Sequence, residues 1–281
     1  ADMETSLFFK TFVVFGTQLS LVFGICYYFI YGARKATLAG EPFYGAVFEK
    51  QYNKNGEIDL FSSEEKAYDE WVFKEETKLN ALFYKDKSAY KKRKKDLEIE
   101  MQDKKPPLRK LLQNLCVIWI IALFTTVFIS GSDYSIFIKM TVLSIASLSF
   151  GPLLGAMMIS MDENDGLRIL KLTVIITFLT ALIGIYSGID FSALGHFLII
   201  PLLILVIWNL LNIFMDFTSA SKRIMGLFGS IVFIFFLLFD FYRLEQASAN
   251  GINDWNTAFN IGFSIYLDVI NLLLELLEAM G

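Results

Sequence analysis

The chain has 281 residues, 55% of them apolar and 28 of them Phe, with a mean hydropathy of +0.51. A single soluble core cannot hide that much apolar surface, which excludes a soluble globular protein and leaves a multi-pass membrane protein. The net charge of −4 hides a segregation: 18 of the 25 Lys and Arg and 15 of the 29 Asp and Glu fall between Arg34 and Lys110, where acids flanking the run Lys91-Lys-Arg-Lys-Lys95 exclude a nucleic-acid footprint.

A hydrocarbon core about 30 Å thick takes roughly 20 apolar residues per helix. Seven stretches approach that length: about residues 8–33, 111–131, 136–159, 168–188, 194–216, 223–244 and 257–279. The ten-residue alternation of a transmembrane barrel is not visible. The expected fold class is therefore all-α, a polytopic membrane protein with seven transmembrane helices. Three parts follow: span one with its lead-in (1–33), a charged and largely helical extramembrane insertion (34–110), and spans two to seven (111–281).

Span one carries Lys10 near its start and Arg34-Lys35 after its end. The first part of the insertion holds Gly40, Pro42, Gly45 and Gly56 and is predicted to be irregular. Its second part is predicted to be helical, opening on the capping box Ser62-Ser-Glu-Glu65. Ala67, Trp71, Leu79, Leu82 and Phe83 give it one apolar stripe. Pro106-Pro107 ends that helix and turns the chain into span two. The insertion is expected to lie on the membrane surface as a small helical hairpin or subdomain, its basic run a solvated face or a headgroup contact.

The later loops are short. Arg168, Lys171, Lys222 and Arg223 share the insertion's side, which the positive-inside rule assigns to the cytosol or matrix, with the N-terminus facing away. Cys26 and Cys116 both fall in spans and read as apolar packing residues. Ala1 in place of Met is consistent with a trimmed chain, and no targeting segment is visible. His196, the single histidine, is expected to pack or make an interfacial hydrogen bond. Asp162-Glu-Asn-Asp-Gly166 misses the spacing of a calcium loop and is expected to be a turn. In span three, Gly151, Pro152 and Gly155 read as a hinge or kink.

The feature with chemical content is a pair of carboxylates. Asp240 closes the apolar run that begins at Ile231, and Asp268 is flanked by apolar residues in span seven. A carboxylate in lipid costs roughly 2.5–3.5 kcal/mol, so it faces a partner or water. At 1.5 Å per residue the two lie roughly 9 Å and 16 Å from the same surface, within the reach of helix tilt. Carboxylates about 3 Å apart cannot both ionise cheaply, so meeting ones share a proton. The alternative is that each Asp ties off a Ser, Tyr, Asn or backbone group.

Four stretches resemble the transmembrane Bax inhibitor motif family: Ser147-Leu-Ser-Phe-Gly-Pro-Leu-Leu154, Asp190-Phe-Ser-Ala-Leu-Gly-His-Phe-Leu198 running on to Leu211-Asn-Ile213, Leu237-Leu-Phe-Asp-Phe-Tyr-Arg243, and Ile265-Tyr-Leu-Asp-Val-Ile-Asn-Leu-Leu273. They fall in the order of that family's spans three, five, six and seven and cover about residues 111–281. The resemblance implies a central helix wrapped by six others, and a pH-sensitive Ca²⁺ leak gated by a di-aspartyl pair, here Asp240 and Asp268. Lys139, Arg243, Tyr266 and Asn271 are the supporting candidates. Bacterial relatives carry basic residues in the loop between spans two and three. Here that loop is Ser130-Gly-Ser-Asp-Tyr134, and Lys139 is the nearest basic group. The charge bias inverts the family's usual orientation.

Three functions compete. The first is a proton-gated cation leak needing no cofactor, with Ca²⁺ as the ion carried and lipids as the bound molecules. The second is an accessory subunit of a larger membrane complex, such as a respiratory one, joined through the 34–110 insertion. An intramembrane aspartyl protease is third, and Ile265-Tyr-Leu-Asp268 lacks the glycines of its Gly-x-Gly-Asp motif. No catalytic or resident metal-binding residue is assigned. The expected location is an organellar membrane, with the mitochondrial inner membrane ahead of the ER or Golgi.

Overall fold

A computed structural model describes residues 6–52, 56–215 and 217–280. In chain order the elements are α1 (Leu7–Ala39), the strands β1 (Glu49–Tyr52) and β2 (Ile58–Phe61), α2 (Ser63–Lys85), α3 (Lys87–Lys104), α4 (Pro107–Ser130), α5 (Ile136–Met161), α6 (Glu163–Tyr186), α7 (Leu194–Phe197), α8 (Ile199–Phe214), α9 (Ser219–Ala249) and α10 (Trp255–Met280). Among the described residues, seven helices are long and apolar enough to cross a membrane, and they coincide with the seven predicted spans. The fifth is built from α7 and α8, with Leu198 between them.

α10 is the central helix: 72% of its span is buried, against 11% for α4 and for the fifth span. It packs against α1, α4, α5, α6 and α9. Apolar side chains of α4, α6 and α8 point outward, including Phe128, Phe178 and Ile200. With no hydrophobic force between helices in lipid, close packing does the work, and small residues supply it. A Cβ at Gly151 would stand 2.7 Å from the Ile25 Cβ, and one at Gly155 3.2 Å from the Cys26 carbonyl. The glycines flanking Pro152 thus seat α5 directly on α1, and α5 runs through the proline as one helix.

The insertion departs from its sequence reading in several places. α1 continues past residue 33 and ends at Ala39, because Gly40 (φ +71°) takes the left-handed cap and the Glu41 N–H donates to the Ala36 carbonyl. The stretch expected to be irregular contains an antiparallel hairpin pairing Glu49 with Phe61 and Tyr52 with Ile58. Ser62 directly precedes α2 as the capping box requires, but the side chain of Glu65 lies outside the described residues. The helical half is two helices rather than one. Asp86 breaks it by accepting from the Ser88 and Ala89 N–H groups and capping α3. The apolar stripe is shifted: Leu79 is buried, Trp71 and Leu82 are half-buried, Ala67 and Phe83 are exposed, and Tyr68 is buried in their place.

α2 and α3 form a hairpin clasped by Arg93, which pairs with Glu75 at 2.7 Å and with Glu100 at 2.6 Å. Hydrogen bonds from Lys78 and Arg93 hold the Glu75 carboxyl below the usual carboxylate range, and Arg93 does the same for Glu100. The hairpin's root is tied to the bundle by Glu163, which is fully buried. Its Oε1 accepts from Arg34 Nε at 3.0 Å and its Oε2 from the Leu60 N–H at 3.1 Å. Asp162-Glu-Asn-Asp-Gly166 is accordingly a helix start and not a turn. Asp162 caps α6 by accepting from the Asn164 N–H at 2.9 Å, and acids in a first helical turn favour the dipole.

Candidate functional site

α9 and α10 run antiparallel with the most intimate contact in the bundle. Small residues let them close: a Cβ on Gly226 would meet the Ala279 N at 2.7 Å. Further along the seam Asp240 and Asp268 face each other, with relative exposures of 3% and 9%. Asp268 and Ser264, both of α10, lie within hydrogen-bonding reach of the Asp240 carboxyl. Asp268 Oδ2 is buried and meets no donor among the described residues.

The supporting residues divide. Arg243 joins the pair: its Nη1 donates to Asp240 Oδ1 at 3.0 Å, one turn along the same helix. Lys139 does not join it. This lysine is fully buried, and its Nζ donates to the Ser130 carbonyl at 2.9 Å and to Asn256 Oδ1 at 3.0 Å, tying the end of α4 to the start of α10. Tyr266 points to the other side of α10, where its hydroxyl is hydrogen-bonded to Ser147 Oγ at 3.2 Å. Asn271 is half-buried on α10. His196 is exposed on α7, and Cys26 packs its sulfur 3.7 Å from Met158 Sδ.

Residues that the sequence reading did not single out complete the picture. Gln18 of α1 accepts from Ser147 Oγ at 2.8 Å and donates to Ser144 Oγ at 3.1 Å, so a neutral buried chain links α1, α5 and α10 through Tyr266. A Gln amid apolar residues in span one is the signal that marked it. On the N-terminal side, a cavity of about 490 Å³ opens between α6 and α9 beside the stretch that carries Asp240. Asp190, Tyr242 and Glu245 line it, and the Tyr242 hydroxyl donates to Asp190 Oδ1 at 2.8 Å. The Ser192 N–H, and with it Tyr242, holds the Asp190 carboxyl below the usual carboxylate range. Among the described residues, no three His, Cys, Asp or Glu side chains converge as a metal cage.

Residues 100–281 match the family described as "Inhibitor of apoptosis-promoting Bax1". The chain belongs to the Bax inhibitor family. Among Bax inhibitor relatives it is 32% identical to Protein LIFEGUARD 1 of Arabidopsis thaliana over 150 residues, 51% of this chain and 60% of that one. It is 34% identical to a Golgi anti-apoptotic protein of Vaccinia virus (strain Lister) over 97 residues, 32% of this chain and 36% of that one. A Helicobacter pylori (strain J99) protein is 24% identical over 163 residues, 58% of this chain and 68% of that one. The matched region thus spans under two thirds of the LIFEGUARD 1 and viral relatives. The Bax inhibitor match covers α4 to α10 and leaves α1 and most of the insertion outside it.

Proposed function

We propose that this Bax inhibitor family protein is a proton-gated cation leak, with Ca²⁺ as the ion carried. The observation that carries the reading is the contact of Asp240 with Asp268 inside the α9–α10 seam, where Asp268 Oδ2 has no donor. With one proton shared, the two carboxyls attract and hold α9 against α10. Loss of that proton leaves two like charges in contact, which part the helices or draw in a cation. Arg243 supplies a competing positive charge to Asp240 and takes the latch role that Lys139, engaged elsewhere, does not fill. The acidic cavity at Asp190 and Glu245 concentrates cations at one mouth.

The test is Ca²⁺ flux into dye-loaded proteoliposomes across a pH series. Asp240→Asn and Asp268→Asn each change the flux by at least about tenfold, equivalent to about 1.4 kcal/mol, and flatten its pH response. Unchanged flux and pH response in both variants overturn the reading.

A second reading, an accessory subunit of a larger membrane complex, is favoured by the insertion: it is rooted in the bundle by Glu163 yet leaves Phe73 and Tyr84 exposed at 71% and 88%. Recovery of the native protein only as a free monomer or homodimer overturns it. The segregated charge favours the mitochondrial inner membrane, and the Golgi relative makes that membrane the alternative.

A further inference from the structure

We propose that the cavity beneath the insertion is a phospholipid site, holding an acyl chain of one zwitterionic glycerophospholipid against its floor and the headgroup at its rim. The cavity measures about 540 Å³, inside the roughly 300–1,000 Å³ range of small-molecule sites. Its floor belongs to the membrane-crossing helices, through Phe29 of α1, Leu112 of α4 and Ile159 of α5. Its polar edge belongs to the insertion and the start of α4, through Lys66, Asp69, Glu70 and Arg109.

Position selects a lipid. Leu112 lies in the second turn of α4 and Ile159 in the last turn of α5, at the insertion-side ends of both helices. The cavity therefore spans the depth at which acyl chains give way to headgroups. A bilayer chain reaches an apolar floor at that depth without crossing water. A protein helix is a poor match: one turn, about 10 Å wide and 5.4 Å tall, takes roughly 400 Å³, so little more than a single turn would enter.

Charge selects the headgroup. Among the described residues the rim carries both signs in equal number, Lys66 and Arg109 against Asp69 and Glu70. Arg109 and Asp69 are already set side by side, with two hydrogen bonds at 2.5 and 3.0 Å. A zwitterion matches such a rim, its phosphate toward the cations and its ammonium toward the acids. An anionic headgroup meets no net attraction there.

The test is native mass spectrometry of the full chain, delipidated in mild detergent and then offered palmitoyl-oleoyl phosphatidylethanolamine, the matching phosphatidylglycerol, or oleate. The wild type retains one phosphatidylethanolamine in preference to the other two. Ala156→Phe, which fills the cavity from α5, lowers that retention at least about fivefold, equivalent to about 1 kcal/mol. The rim reversal Lys66→Glu with Glu70→Lys changes only exposed side chains, so it separates binding from folding. It preserves the sum of charge, inverts its placement and also lowers retention. Equal retention in wild type and in both variants overturns the site. Preference for phosphatidylglycerol or oleate overturns the zwitterionic assignment.

Discussion

α10 carries polar groups on two faces, and the faces are built on opposite principles. Toward α1 and α5, Tyr266 ends a neutral chain in which Gln18 and Ser147 each find a partner. Toward α9, Asp268 meets Asp240 with a donor missing. Both faces are buried. A satisfied neutral network has a single low-energy arrangement and fixes helix register, whereas a carboxyl pair short of a proton has two arrangements separated by one ion. One face of the central helix holds the bundle together, and under the proposed function the other is the face that moves.

The comparison can be broken from its rigid side first. Gly151→Leu forces a side chain into Ile25 and the Val22 carbonyl and is expected to cost about 1–3 kcal/mol. Thermal unfolding in detergent measures it, and a melting temperature equal to wild type would show that the α1–α5 contact is looser than described. Gln18→Leu removes the hydrogen bonds to Ser144 and Ser147 and is expected to cost about 0.6–1.7 kcal/mol, the range for interhelical hydrogen bonds in membranes. Its Ca²⁺ flux keeps the wild-type pH profile, and a flattened profile would mean that the two faces are coupled. This outcome is the reverse of that expected for the Asp240 and Asp268 variants, which alter the profile.

The smallest effect belongs to the Asp190 cavity, the mouth of the proposed leak. Asp190 is held below the usual carboxylate range by the Ser192 N–H and Tyr242, so its charge is lost only as pH falls below that range. Asp190→Asn therefore reduces flux by the same factor, about twofold, at about pH 6 and about pH 8. The reduction fades near 1 M salt, where screening reaches about 3 Å. A pH-dependent reduction would place Asp190 inside the proposed gate rather than at its entrance.

Hydropathy runs give all seven spans, because crossing a bilayer is a matter of length and composition along a contiguous stretch. The two aspartates are equally legible, since a charge inside an apolar helix stands out without any knowledge of its partner. Asp86 is harder to see: it splits the expected long helix through a cap, a local device that a run of helix-favouring Lys and Glu conceals. The hairpin at β1 and β2 is hidden for a different reason, because it is held by cross-strand pairing and by Leu60 docking on Glu163.

The amino-acid order by itself determined the number of spans, the segregation of charge into one insertion and the presence of Asp240 and Asp268 within apolar stretches. Only the tertiary structure decided which polar groups meet. Arg243 rather than Lys139 reaches Asp240, Gln18 finds Ser147, and Arg34 finds Glu163. A span is set by the free energy of moving residues from water to lipid, which adds along the chain. A contact depends on the rotation and register of two helices, and those are fixed by packing between residues far apart in sequence.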